Sequence, residues 1–319
     1  MIVFDVLQSI IPQALFFAAP LIFTALGGIF SERSGIINIG LEGLMVMGAF
    51  VGIVVNLTFA DVFGSATPWV SIFAAMVISA VFALTHAVAS ITFRADQVVS
   101  GVAVNFLALG IGVFLTKQWY DKGQTDMVSR PFYTKDIWLL SDIPILGELL
   151  FSSMYITSYI AIILAVGVWF VLFKTPFGLR LRSVGEHPMA ADTNGINVYG
   201  MRYAAVMLSG ALGGLGGAVF ALTIAMNFSQ STIVGQGFMA LAAVIFGKWH
   251  PLGALGAAIF FGFAQSLSVV GSGIPLLAEV PQVFLLIAPY VLTILALAGF
   301  IGRAEAPKAL GEAYVKGNR

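Results

Sequence analysis

Apolar residues run along the chain in stretches of about 20, the length a helix needs to cross the hydrocarbon core of a bilayer, and short polar breaks separate them. Spans are expected near residues 9–30, 36–57, 69–92, 97–116, 151–173, 201–226, 232–247, 252–270 and 281–302. The polar breaks are not alike. Arg33, Arg94, the group Lys174, Arg180 and Arg182, Lys248, and the segment from Arg303 to Arg319 all fall on one side if the spans alternate. Short loops rich in Lys and Arg resist translocation, so that side is read as the cytoplasm and the N-terminus as external. The opposite loops at 61–68, 227–232 and 271–280 hold no Lys or Arg.

Residues 117–150 depart from this pattern, with four basic and five acidic residues, and are expected outside. Trp119, Tyr120, Tyr133 and Trp138 suit the headgroup level, where amphipathic rings anchor a loop, and the same loop offers a surface to a partner protein. Its apolar part, 137–150, has room for a short or re-entrant tenth element. The fold class read from these patterns is all-α: a polytopic transmembrane bundle of nine or ten spans. Residues 1–302 form the membrane domain, including a cytoplasmic loop at 174–202, and 303–319 form a cytoplasmic tail.

Composition supports that picture. Of 319 residues, 59% are hydrophobic and 9% charged, with a mean hydropathy of +0.99, whereas roughly a quarter of an ordinary soluble domain is charged. Net charge is zero and no basic run exists, so nothing points to nucleic acid. The absence of cysteine removes disulfides, thiol nucleophiles and thiolate metal sites. Asp5 is the only charge before Glu32, so the first stretch lacks the basic start of a secretion signal and is read as a retained span, with a cleaved leader the lesser alternative.

Three local patterns carry chemistry. In GALGGLGGAV, Gly210 with Gly214 and Gly213 with Gly217 form overlapping GxxxG spacings, expected to bring helix backbones into contact. A phosphate-binding loop is excluded, because Gly247-Lys248 is followed by Trp249 and not by Ser or Thr. In the 174–202 loop, Pro188 suits a first helical position and Gly195 a left-handed closing residue, predicting a two-turn helix from Pro188 to Asn194 on a charged base of Arg180, Arg182 and Glu186. Two turns alone are unstable in water, so either the loop is a solvated connector or something packs on it.

SERSGIINIGLEGLMVMGAF (31–50), GLRLRSVGEHPMAADTNGINV (178–198) and GQGFMALAAVIFGKWHPLGALGAAIFFG (235–262) together resemble permease subunits of ABC importers, in the ribose and branched-chain amino acid permease group and nearest its nucleoside branch. The resemblance implies that the helix at 188–194 is a coupling helix seated in a separate ATPase subunit, with Arg180, Arg182, Gly185, Glu186, Pro188, Ala190, Ala191 and Gly195 at that contact. It implies no cofactor in this chain, with ATP and Mg on the ATPase. A second, related permease and an external substrate-binding lipoprotein would complete the assembly, in the cytoplasmic membrane of a bacterium.

A carboxylate deep in a span costs roughly 2.5–3.5 kcal/mol on insertion scales, so Glu42 is expected to face protein or water. On a continuous helix Asn38 and Glu42 share a face at i, i+4. Glu42 is read either as an acceptor for backbone amides of a broken neighbouring helix or, with Asn38, as lining the inner half of a substrate path. Asn105, Gln236 and Gln265 are further candidates for solute contact, each equally able to bond a neighbouring helix. His86, His187 and His250 show no metal-ligand spacing. GLEGLMVMGAF and GQGFMALAAVIFG resemble one another and run in opposite directions under this topology, hinting at an inverted repeat.

The leading reading is an ATP-driven nucleoside permease working by alternating access. Alternatives are a permease for ribose or another sugar, and an ion-coupled secondary transporter, which needs paired buried charges. An intramembrane enzyme lacks any catalytic constellation here.

Overall fold

The computed structural model describes residues 2–136, 151–271 and 305–317, with isolated positions between them. The expected span at 281–302, the element expected within 137–150 and most of the outer loop at 271–280 lie outside the described residues. The helices are α1 (Ile2–Arg33), α2 (Leu41–Phe63), α3 (Thr67–Phe82), α4 (Gln97–Tyr120), α5 (Ile156–Lys174), α6 (Pro176–Glu186), α7 (Pro188–Thr193), α8 (Val198–Phe220), α9 (Gln236–Phe246) and α10 (Pro251–Val270). One turn at Leu84–Ala87 and a π-helical turn at Val88–Thr92 extend α3, and a second π-helical turn, Ala221–Ala225, extends α8. Two short strands, β1 (Thr134–Lys135) and β2 (Met154–Tyr155), pair antiparallel.

Among the described residues, six stretches are long and apolar enough to cross a membrane. One of them, Leu41–Thr92, folds back at a 3-10 turn, Gly64–Ala66, and supplies both α2 and α3. The chain is a multi-pass helical membrane protein. Its α1 sits at the centre, with Leu21, Ile22, Ala25, Leu26 and Ile29 almost wholly buried.

The two ends of the bundle separate as the charge pattern predicts. At one end Arg33 Nε donates to the Trp249 carbonyl (2.9 Å), the Ala309 amide to the Gly185 carbonyl (2.9 Å) and the Gly311 amide to the Gly35 carbonyl (3.0 Å). That end gathers the basic loops. At the other end the loop after α4 lies along the segment after α8, through Thr125 N to Phe228 O (2.9 Å), Val128 N to Met226 O (2.8 Å) and Phe132 N to Leu222 O (3.3 Å). Asn56 pins this strap, donating to the Arg130 carbonyl (2.8 Å) and accepting from the Arg130 amide (3.0 Å).

The glycines of α8 divide their work by face. A Cβ at Gly210 or Gly214 would strike α3 at Ser79, one at Gly216 would strike α1 at Thr24, and one at Gly217 would strike the Met45 carbonyl of α2. Three helices therefore approach α8 at backbone distance, which gains the dispersion contact that lipid does not supply.

Two expectations need correction. The second span does not begin at 36: residues 36–38 are irregular, 39–40 make a turn, and α2 starts at Leu41. Hydropathy cannot detect this break, because IINIG is as apolar as helix. Exposed backbone is tolerated at membrane depth only when protein satisfies it, and here it does. Ser31 Oγ donates to Ile36 O (2.8 Å), Gln97 Oε1 accepts from Ile37 N (2.7 Å), His86 Nε2 bonds Ile37 O (2.9 Å) and Asn105 Nδ2 donates to Ile39 O (3.1 Å). Asn38 therefore stands off the helix and shares no helical face with Glu42. The second correction is α6, an amphipathic helix where a charged loop base was expected. Its start was legible: Thr175 caps it by accepting from Gly178 N (3.3 Å), and Pro176 takes the first position.

Candidate functional site

The break before α2 has a counterpart. Helix α9 has 11 residues, about 16 Å at 1.5 Å per residue, against a hydrocarbon core of roughly 30 Å. Its C-terminal end meets the inner end of α1, where Trp249 follows α9 by three residues and its indole N–H donates to Glu32. Its N-terminus therefore lies near half depth, preceded by irregular chain from Met226 to Gly235, which has φ 79°.

Glu42 sits at that N-terminus. Oε1 accepts from Gly235 N and Oε2 from Gly237 N, both at 2.6 Å. The amides that begin a helix lack intrahelical partners and carry the positive end of its dipole, so a carboxylate is the natural acceptor there. A side chain at Gly237 would strike the Glu42 backbone, so only glycine lets α9 come this close.

Other candidates converge on the same junction. Asn105 bridges the break in α2, accepting from Gly43 N (2.7 Å) while donating to Ile39 O. Gln236 and Gln265 face one another across α9 and α10 (3.5 Å), and Gln265 also reaches Met239 Sδ (3.3 Å). Asn38 lies toward the inner side, donating to Ser209 Oγ (2.9 Å), with its buried Oδ1 unbonded among the described residues. Asn105 is thus committed to holding backbone. Gln236 and Gln265, half-buried and loosely paired, keep hydrogen-bonding capacity for a solute.

At the inner end, α6 and α7 form a compact projection. His187 joins them, its Nδ1 accepting from Ala190 N (3.3 Å), and Gly195 closes α7 with φ 79°, its amide bonded to Asp192 O (2.9 Å). The expected two-turn helix exists as Pro188–Thr193. The candidate contact residues split into two sets. Arg182 Nε donates to Leu172 O (3.0 Å) and its guanidinium lies over Phe173, fastening α6 to α5. Gly185 is packed against the Arg33 carbonyl, and Ala191 is buried. Arg180, Glu186, Ala190 and Gly195 face water, and Pro188 is partly covered. Between α6 and α7 runs a groove of about 510 Å³ whose lining includes Arg180, Ser183, Glu186, Ala190 and Leu179, an apolar residue 63% exposed.

Residues 10–297 match the family of permease components of branched-chain amino acid transport systems. The chain belongs to this permease family. The permease is 63% identical to the guanosine ABC transporter permease protein NupQ of Bacillus subtilis, over 99% of both chains. It is 52% identical to the nucleoside ABC transporter permease protein NupC of Lactococcus lactis, over 98% of this chain and 99% of that one. A second Lactococcus protein, the nucleoside ABC transporter permease protein NupB, is 26% identical over 91% of the permease and 79% of its own length.

Sequence reasoning missed two buried charged groups, Glu32 and Arg202. Glu32 is 4% exposed and bonded to the Trp249 indole, a second buried carboxylate beside Glu42. The signal was Lys248-Trp249-His250, a tight turn in which Lys248 and Trp249 both have positive φ. Burial and the neighbouring Arg33 lower the pKa of His250 at this turn, favouring its neutral form. Among the described residues no cluster of His, Asp or Glu is placed to hold a metal ion.

Proposed function

We propose that this permease is one transmembrane subunit of an ABC importer for nucleosides in the cytoplasmic membrane of a bacterium. ATP and Mg are bound by a separate ATPase, which seats the α6–α7 projection. The observation that carries the reading is the pairing of near full-length identity to a guanosine permease with an exposed two-helix knob on the inner face. A chain without a phosphate loop needs an outside motor, and the knob is the part such a motor can grip. The presence of two differing nucleoside permeases in Lactococcus supports a second, related permease as partner here. An external binding lipoprotein delivers the solute to the outer loops.

Gln236, Gln265 and Asn38 are the side chains proposed to border the solute path at and below half depth, where amides meet neutral hydroxyls and base edges without binding them tightly. Glu42 and Asn105 border the same path but act through the backbone they hold.

Cells lacking this gene should lose uptake of labelled guanosine and regain it from a plasmid copy. Unlabelled nucleosides should compete and ribose should not; competition by ribose alone would make the chain a sugar permease. Uptake by the purified chain alone, in vesicles with only an ion gradient, would refute the proposal altogether.

The knob gives a second expected result. Proline cannot adopt φ 79° and has no amide to give Asp192, so Gly195→Pro breaks the closure of α7. Glu186→Arg sets a second guanidinium beside Arg33, whose Nη1 now lies 4.0 Å from Glu186. Both variants should insert normally yet lose uptake and transport-linked ATP hydrolysis. Normal uptake in both would remove the knob from the coupling path.

A further inference from the structure

The knob and the half-depth junction lie far apart along the bundle, and a continuous set of contacts joins them. Gly185 and Glu186, at the end of α6, rest on Arg33 through the packed carbonyl and the loose ion pair. Arg33 Nε donates to the Trp249 carbonyl, while the adjacent residue of α1, Glu32, accepts from the Trp249 indole. Trp249 is 7% exposed and its amide bonds Val244 O (3.0 Å), tying the turn rigidly to α9. The other end of α9 is held by Glu42.

We infer that α9 is the rod that carries motion of the α6–α7 projection to the Glu42 junction, and that Trp249 is the positioning residue that clamps its inner end. A helix of three turns with both ends fixed moves as one body, because its internal hydrogen bonds resist bending. Displacing the projection pushes on Arg33 and, through both polar groups of Trp249, on α9. The Glu42 carboxylate then shifts with Gly235 and Gly237, altering the spacing of Gln236 and Gln265. The clamp is specific: the carbonyl and the indole N–H of one residue bind two successive residues of α1, so α9 cannot slide along α1 without breaking both.

This inference rests on the ABC reading of the chain, and its test separates the two. The full complex of this chain with its ATPase and partner permease, in vesicles supplied with binding protein and guanosine, is assayed for uptake and for ATP hydrolysed. No uptake with the unaltered chain would count against the ABC reading itself. With uptake established, Trp249→Phe keeps an aromatic ring but loses the N–H. Uptake per ATP should fall by about tenfold, the size of effect seen at residues along coupling networks, while ATP hydrolysis stays within about twofold. Glu32→Gln keeps an acceptor oxygen and should retain most of the ratio. Glu32→Leu, which keeps none, should match Trp249→Phe and replaces it as the deciding variant if Trp249→Phe fails to assemble.

Because the chain has no cysteine, single cysteines report motion cleanly. Val234→Cys, exposed just before α9, should change its labelling rate when ATP binds in the otherwise unaltered complex. In the Trp249→Phe background it should not change, although Ala190→Cys on α7 still does. An unaltered uptake-to-ATP ratio, or an ATP response at position 234 that survives loss of the clamp, would overturn the inference.

Discussion

Glu42→Ala should abolish solute uptake and lower the melting temperature of the purified permease. The substitution leaves the amides of Gly235 and Gly237 without acceptors at half depth, where water does not replace them. A hydrogen bond to a charged group contributes about 1.5–3 kcal/mol, so loss of the pair is worth about 3–6 kcal/mol. Glu42→Gln keeps one acceptor and turns an NH2 toward the other amide, so its stability should fall between the two. Glu42→Asp keeps both oxygens but withdraws them by one methylene, which 2.6 Å contacts do not tolerate. Thermal unfolding in detergent together with labelled uptake checks the series. A Glu42→Ala protein with unchanged melting and uptake would show that α9 is positioned by packing alone.

Gly217→Ala is expected to have the next largest effect, although it adds one methyl group. That methyl would fall on the Met45 carbonyl of α2, and backbone cannot turn aside as a side chain does. The helices must separate, releasing the neighbouring approaches of Gly48 to Gly214 and of Gly213 to Leu44. Overpacking of this kind costs typically 1–3 kcal/mol, and a contact made by backbone belongs at the upper end. Gly256→Ala is the control. No described residue lies within 4 Å of a Cβ there, and alanine favours a helix over glycine by about 0.8–1.0 kcal/mol, so that variant should be neutral or slightly stabilised. Equal losses of melting temperature in the two variants would mean that α8 and α2 are not held at backbone distance.

What was legible in the sequence follows from which interactions are local. Apolar run length marks the spans, and the distribution of Lys and Arg orders the two ends, because both act through the bilayer and need no knowledge of neighbours. Pro188 and Gly195 announce α7 for the same reason, since each fixes its own backbone. The break at 36–40 was hidden, as the groups that stabilise it, His86, Gln97 and Asn105, lie about 50 to 70 positions further along. The assumption of a continuous helix put Asn38 and Glu42 on one face and was wrong for that reason. Glu42 as an acceptor for a broken helix was among the readings, because a buried carboxylate has few other fates. Which helix it would meet was not, since Gly235 is 193 residues away.

The segment 305–317 fastens three separate parts of the inner face. Its backbone bonds Gly35 and Gly185, Arg202 Nη1 donates to the Glu312 carbonyl (3.0 Å), and Tyr314 packs edge-on against Tyr199. These residues leave the ribosome after every element they fasten, so α5 and α1 can hold the knob first, and the ties from Gly185, Gly35 and Arg202 to this segment are the last of its contacts to form.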